Sequence, residues 1–219
     1  MLLQSLTRQL ILAHQVLRFT NIAKESADLV VGDIGCGYCE LFTLLSRARK
    51  AKGSTLKYIG VDIDKDKKII AQQLRPNVDY RIDNILNLSV IEPESLNIVV
   101  SGDVIEHFEY DEGLIHLKKM NEKLISGGLL IISYATPMST LYRKNPFHLC
   151  EWTVKVMDTV LTKMNFEILD SFYLGLPKKN IKFNDSRIER VPFELARNVL
   201  SVVSNPNEGN EGITVARKL

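Results

Sequence analysis

Apolar positions along the chain switch repeatedly between short unbroken runs and longer stretches with helical spacing. Leu2, Leu3, Leu6, Leu10 and Ala13 fall at helical intervals, which predicts an amphipathic lead-in helix. Asp28 to Ile34 (DLVVGDI) reads as a buried strand running into a Gly-rich turn. Glu40 to Lys50 carries Leu41, Leu44 and Leu45 on one helical face; Leu56 to Val61 is a second strand. Asp66 to Leu74 is a helix stopped before Pro76, and Val78 to Ile82 a short third strand. Leu96 to Val100 is a fourth strand, and Asp111 to Leu124 a helix closed by Gly127-Gly128. Leu129 to Tyr134 is the fifth strand, Thr153 to Met164 a helix, and Phe166 to Tyr173 the sixth strand. Ile213 to Leu219 is expected to be the last.

Strand–helix alternation of this kind specifies an α/β doubly wound, mostly parallel sheet with helices on both faces. Ligands of such sheets bind outside the carboxyl ends of the strands, where strand order reverses. The 219 residues fit a single domain. Within it, residues 1–24 form a helical lead-in and residues 175–212 an insertion before the last strand. The insertion has a helical pattern from Pro192 to Val203, then a turn-rich tract from Asn205 to Gly212.

Hydrophobic residues at 45% and charged residues at 25% are the balance of an ordinary globular protein. A net charge of +2 is too small to imply a polyanionic partner, so a nucleic-acid acceptor is not favoured. No apolar run approaches the roughly 20 residues that span a bilayer. Gln4, Arg8 and Gln9 interrupt the apolar N-terminus, which has no signal-peptide pattern. Three cysteines, an odd number, suggest a reducing compartment, and the expected location is cytoplasmic.

The strongest motif is Asp33-Ile-Gly35-Cys36-Gly37, between a strand and a helix. Glycines suit a tight turn that a ligand approaches closely, and the helix start behind it offers free N–H groups. Gly60-Val-Asp62 ends the next strand, one βαβ unit away, where a carboxylate can accept hydrogen bonds from both hydroxyls of a ribose. Asp83-Asn84 follows the third strand. Together with Cys36 and Ile63 these residues outline loop, ribose and base positions for an adenosyl ligand. The plainer reading is a Gly turn flanked by solvated acids.

Asp33-Ile-Gly-Cys-Gly37, Tyr58-Ile-Gly-Val-Asp62, Asp103-Val-Ile-Glu-His107 and Gly127-Gly-Leu-Leu-Ile131 resemble, in order, the class I S-adenosylmethionine-dependent methyltransferases over about residues 28–173. The resemblance implies a seven-stranded sheet whose last strand is antiparallel, matching an edge strand from Ile213 to Leu219. It implies S-adenosylmethionine as cofactor, with its methionine end on the Gly loop, its ribose on Asp62 and its adenine beside Asp83. The family often has a third glycine where this chain has Cys39, so a slightly displaced loop is expected. Cys36-Gly-Tyr-Cys39 also matches the paired thiols of thioredoxin-like helix starts, a reading in which Asp62 has no role. Zinc held by Cys36, Cys39, His148 and Cys150 would occupy the cofactor loop.

Methyl transfer to a hydroxyl needs an aligned acceptor and a route for its proton. Asp103, Glu106 and His107 leave the fourth strand at the mouth of the expected site. Asn145-Pro-Phe-His148-Leu-Cys-Glu151-Trp152-Thr lies in the long loop after the fifth strand, kept out of helix by Pro137 and Pro146 and able to fold over the pocket. The catalytic candidates are Asp103, His107 and His148, with Asp103 also bordering the cofactor. This loop resembles those of methyltransferases of glycan and small-molecule pathways, which implies a sugar or other small acceptor and a histidine base. A second resemblance is to small-RNA 3′-end ribose methyltransferases. It implies a divalent metal on Glu106, His107 and His148 aided by Asp103, where that family has Glu. RNA would need a basic patch, for which Arg143, Lys144, Lys178, Lys179 and Lys182 are available. The structural alternative is that Glu106 and His107 only orient the loop. Trp152 is expected to pack under the lid and Thr153 to cap the next helix, while His14, His116 and Lys65 to Lys68 read as surface.

Overall fold

The computed structural model describes residues 2–20, 29–51, 56–137, 145–174 and 211–219. Its elements run α1 (Leu2–Thr20), β1 (Leu29–Ile34), α2 (Glu40–Ala51), β2 (Leu56–Asp62), α3 (Lys65–Leu74), β3 (Asp79–Ile82) and β4 (Leu96–Gly102). A 3-10 turn (Ile105–His107) follows, then α4 (Tyr110–Lys123), β5 (Leu124–Ala135), α5 (Val154–Lys163), β6 (Phe166–Leu174) and β7 (Glu211–Lys218). The seven strands lie in the order β3-β2-β1-β4-β5-β7-β6. β1 to β5 are mutually parallel, and β7 is antiparallel to both neighbours. Strand order reverses between β1 and β4, so the carboxyl ends of these two strands flank the ligand crevice.

Two expectations need correction. The last strand is not at the edge: β7 fills the gap between β5 and β6, and β6 is the edge strand. Its residues fit that place, since Ile213, Thr214, Val215 and Ala216 are fully buried, whereas most of β6 is half-buried. Gly127-Gly128 does not lie outside the fifth strand either, because β5 already begins at Leu124. The pairing jumps from Leu96↔Leu124 to Ile98↔Leu129. The extra residues bulge out, with Gly127 taking the left-handed φ of 75° such an irregularity needs.

Side chains alternate across the sheet. Ile98, Val100, Leu129 and Ile131 join the layer packed by α1, α2 and α3. Val99, Leu130, Ile132 and Tyr134 face the layer of α4 and α5, with Leu117, Leu161 and Trp152. Each such buried side chain contributes about 1.5–3 kcal/mol. Helix starts are tied down locally. Asp64 caps α3 by accepting from Asp66 N and Lys67 N, and Thr153 caps α5 as expected, accepting from Val156 N at 3.2 Å. α3 therefore begins at Lys65, one residue before the sequence pattern placed it. No helix among the described residues is long and apolar enough to cross a membrane. The helical pattern from Pro192 to Val203 lies outside the described residues, as do all five candidate basic-patch residues.

Candidate functional site

The chain leaves β1 in a loop locked to the neighbouring strand. Gly35 N and Cys36 N donate to Val61 O at 2.8 and 3.1 Å. Gly35 and Gly37 have φ of 78° and 55°, in the left-handed region that glycine adopts without penalty. A Cβ on Gly35 would stand 2.4 Å from Val104 Cγ2, so the loop lies directly against the turn after β4. At Gly37 the same test meets nothing within 4 Å: the loop opens there onto free space.

Asp62, at the tip of β2, is buried. Its Oδ2 accepts from Gly37 N at 2.9 Å and its Oδ1 from Asp64 N at 3.0 Å. Because β1 pairs with β2 in the register Ile34↔Val61, the Gly turn and this carboxylate are side by side. Each carboxylate oxygen has two lone pairs, so both keep one for a ligand hydroxyl. Ile63 beside it is 69% exposed, an apolar face open to a flat base. Asp83 joins the group through Asp83 N, which donates to Asp62 O at 3.2 Å. Its carboxylate accepts from Asn84 N, Val90 N and Ser89 Oγ, while Asn84 Oδ1 accepts from Leu86 N. Burial opposes ionisation of Asp83, but these hydrogen bonds outweigh it and hold the carboxyl below its ordinary range.

Asp33 is enclosed between β1 and β2 and accepts a hydrogen bond from the Tyr58 hydroxyl. Burial pushes its pKa up to about 7 against the lowering effect of Tyr58, with Glu40 and Asp62 adding repulsion. Tyr80 Oη donates to Gly37 O at 3.0 Å. Neither tyrosine was singled out from the sequence. Alternation did carry the signal for Tyr58, which shares a sheet face with Gly60, the register partner of Asp33.

The cysteines have a packing role. A Cβ on Gly60 would lie 2.7 Å from Cys39 Sγ and 2.9 Å from Cys36 Sγ, so both sulfurs rest on bare glycine backbone. Both are buried, and burial drives the Cys36 thiol far above its ordinary pKa. This overturns the thioredoxin-like reading, which requires an accessible, acidified thiol. The zinc reading fails too: among the described residues the one cluster able to hold a metal is Glu106, His107 and His148, with no cysteine. Cys39 itself has φ 59°, so its backbone adopts the conformation a glycine would favour there.

At the other end, Asp103 follows β4 with φ 53° and its N–H donates to Ser133 O at 3.0 Å. Its carboxylate pairs with Arg8 of α1, which also reaches Glu211 Oε1 at 3.3 Å. Glu106 is fully buried. Its Oε1 accepts from Ala135 N at 3.1 Å, and its Oε2 has no hydrogen-bond partner. Burial raises its pKa, opposed by the Ala135 N–H, His107 and Arg8. The segment 145–152 docks on this turn, with Leu149 N donating to Glu106 O at 2.8 Å. His107 Nδ1 meets Phe147 O at 3.0 Å, and the His107 and His148 rings stand edge to face with centroids 5.0 Å apart. Partial burial and the neighbouring His107 lower the pKa of His148.

Trp152 packs as expected, fully buried and stacked on Tyr110 at 5.3 Å. His116 does not lie on the surface. It is fully buried between Ser101 Oγ at 3.3 Å and Ile85 O at 3.4 Å, and burial pushes its pKa down to about 4. Its place was readable from spacing, since Gly113, His116, Leu117 and Met120 form one buried face of α4. Arg8 and Glu211 were not anticipated. The available signal for Arg8 was an arginine one turn before Leu12 on the buried face of α1.

Residues 32–132 match the family model described as a methyltransferase domain. A structure of an S-adenosylmethionine-dependent methyltransferase from Archaeoglobus fulgidus is similar with a TM-score of 0.62 at 16% identity, covering 96% of this chain and 94% of that one. One from Mesorhizobium loti gives 0.64 at 16% identity, with 89% and 93% covered. The magnesium protoporphyrin IX methyltransferase of Synechocystis, solved with bound SAH, gives 0.63 at 16% identity, with 97% and 83% covered. No curated protein matches the chain by sequence.

Proposed function

We propose that the chain is a class I S-adenosylmethionine-dependent methyltransferase and that its methyl acceptor is a hydroxyl oxygen of a sugar, glycan or other small molecule. The observation that carries this reading is the contact between Gly35 and Val104. It makes the cofactor loop and the turn bearing Asp103, Glu106 and His107 immediate neighbours, so the transferred carbon and the proton-handling side chains share one mouth.

S-adenosylmethionine supplies an electrophilic methyl on a sulfonium; the protein has to hold, align and exclude water. In this reading Gly35, Cys36 and Gly37 receive the methionine end, Asp62 the ribose hydroxyls, and Ile63, Asp83 and Asn84 the adenine. Asp33 supports the loop from beneath. Asp103 borders cofactor and acceptor alike, and His107 and His148 stand where the acceptor's proton must leave. The open space at Gly37, the spare lone pairs of Asp62 and the exposed Ile63 support the fit. Three free cysteines support a cytoplasmic site of action.

An acceptor screen with labelled methyl donor across sugars, nucleotides and short RNAs tests the assignment. The expected product is a small-molecule methyl ether, stable to mild alkali. Label confined to RNA, or to an alkali-labile ester, overturns it.

A further inference from the structure

We propose that His116 and Lys123 are positioning residues for the cofactor's base: from one face of α4 they clamp both ends of the segment 85–91, against which Asp83 and Asn84 are set. This deepens the function proposed above and rests on it for the place of the adenine beside Asp83 and Asn84. The buried residues of α4 are Gly113, His116, Leu117, Met120 and Lys123. Two of them, His116 and Lys123, bring polar groups into an otherwise apolar face, where each must find a partner or destabilise the fold. Both are directed at main-chain carbonyls of the same loop.

At one end of the segment, His116 Nδ1 lies 3.4 Å from Ile85 O. Burial keeps this imidazole neutral, and a carbonyl only accepts, so Nδ1 carries the proton and donates. Nε2 is then the acceptor for the Ser101 hydroxyl at 3.3 Å, which fixes the ring against β4. At the other end, two helical turns along α4, Lys123 Nζ donates to Ile91 O at 2.7 Å. A buried lysine is rare unless it is paired in this way.

The clamp reaches Asp83 and Asn84 through the loop's own hydrogen bonds. The Asp83 carboxylate accepts from Ser89 Oγ and Val90 N, and Asn84 O accepts from Asn87 N and Leu88 N at 2.9 and 3.1 Å. Moving residues 85–91 therefore moves both side chains. The His116 ring also packs against Phe108, with centroids 5.6 Å apart, directly after the turn that bears His107. One helix thus holds the base-side loop in register with the acceptor end.

Calorimetric titration with S-adenosylhomocysteine and with S-inosylhomocysteine tests this. A carboxylate accepts from the amino group of adenine and repels the ring carbonyl that replaces it in inosine, so wild type should prefer the adenosyl compound by about tenfold or more. His116→Leu and Lys123→Met should each bind S-adenosylhomocysteine about tenfold more weakly and lose most of that preference. His116→Asn, whose amide nitrogen stands near the place of Nδ1, should return both to within about threefold of wild type. Should the leucine variant fail to fold by circular dichroism, Lys123→Met, which keeps the aliphatic stem, carries the same comparison. Folded variants that match wild type overturn the clamp. So does weaker binding with the base preference intact, since general loosening of the core would do that, or an asparagine variant no better than leucine. Binding of neither compound by wild type overturns the cofactor reading itself, a result distinct from all of these.

Discussion

The two ends of the site are built from different materials. The proposed cofactor end is made by neighbouring strands: the Gly35–Gly37 loop, the tip of β2 and the start of the β3–β4 connection, joined by backbone N–H groups to Asp62 and Val61. The proposed acceptor end is made by side chains from α1, the turn after β4, the loop after β5 and the start of β7. Backbone geometry suits an invariant ligand approached at close range. Converging ionisable side chains suit chemistry that differs between acceptors, since each can be replaced without rebuilding a strand. Damage at the first end should therefore appear in cofactor affinity, and damage at the second in acceptor kinetics.

The largest expected effect concerns Asp33, the buried carboxyl beneath the Gly loop. Its folded pKa of about 7 lies above the ordinary carboxyl value, so the folded chain keeps a proton that the unfolded chain releases. That contribution to stability is complete below about pH 4 and is lost as pH rises towards 7, at about 1.4 kcal/mol per unit, or roughly 4 kcal/mol in total. Asp33→Asn keeps an acceptor for Tyr58 and removes this slope. Its melting temperature should exceed that of wild type at pH 8 and approach it at pH 4. Parallel pH dependences of the melting temperature for the two proteins across that range would show that folding does not raise the pKa of Asp33.

Next in size is Gly35→Ala. The added Cβ meets Val104 at 2.4 Å and the residue sits at φ 78°. Strain and overlap together cost about 2–3 kcal/mol, read as a cofactor affinity about 30- to 150-fold weaker in a chain that still melts cooperatively. Asp62→Ala should weaken cofactor binding by about 1–3 kcal/mol and leave the KM of the acceptor unchanged. Unchanged cofactor affinity would show that this carboxylate does not hold the ribose. Arg8→Ala tests the other end. It leaves Asp103 and Glu211 facing each other, at about 1–2 kcal/mol of stability after allowing for their partial exposure. Acceptor KM should rise while cofactor affinity holds. A fall in cofactor affinity instead would erase the division between the ends.

That division also explains what could be read from the chain in advance. That the Gly turn and Asp62 are neighbours is legible because each is a short motif at a strand tip, and adjacency of β1 and β2 follows from one βαβ unit. β7 was misplaced at the edge because strand order there depends on how β6 and β7 pair over a long connection, which no local pattern encodes. Asp103, His107 and His148 are candidates by their chemistry, which does not reveal the way Arg8 takes up Asp103, a pairing of residues 95 positions apart across the fold. His116 is in the core rather than on the surface because its place on the Gly113–Met120 face of α4, not its residue type, decides its burial.

The smallest effect expected is at Cys39, where the cofactor end departs from the glycine its backbone favours. A left-handed φ of 59° costs a residue with a Cβ about 1–2 kcal/mol, which Cys39→Gly recovers. Against this, glycine loses about 0.5–1 kcal/mol through unfolded-chain entropy, and the buried sulfur leaves a small void against Gly60. The two sides nearly cancel, so the melting temperature should move by only a degree or two. Cys39→Ala separates them: it keeps the strained φ, loses the sulfur and should be the less stable of the two variants. If the alanine variant is instead the more stable, the left-handed backbone at residue 39 is not a source of strain, and the loop tolerates a side chain there without cost.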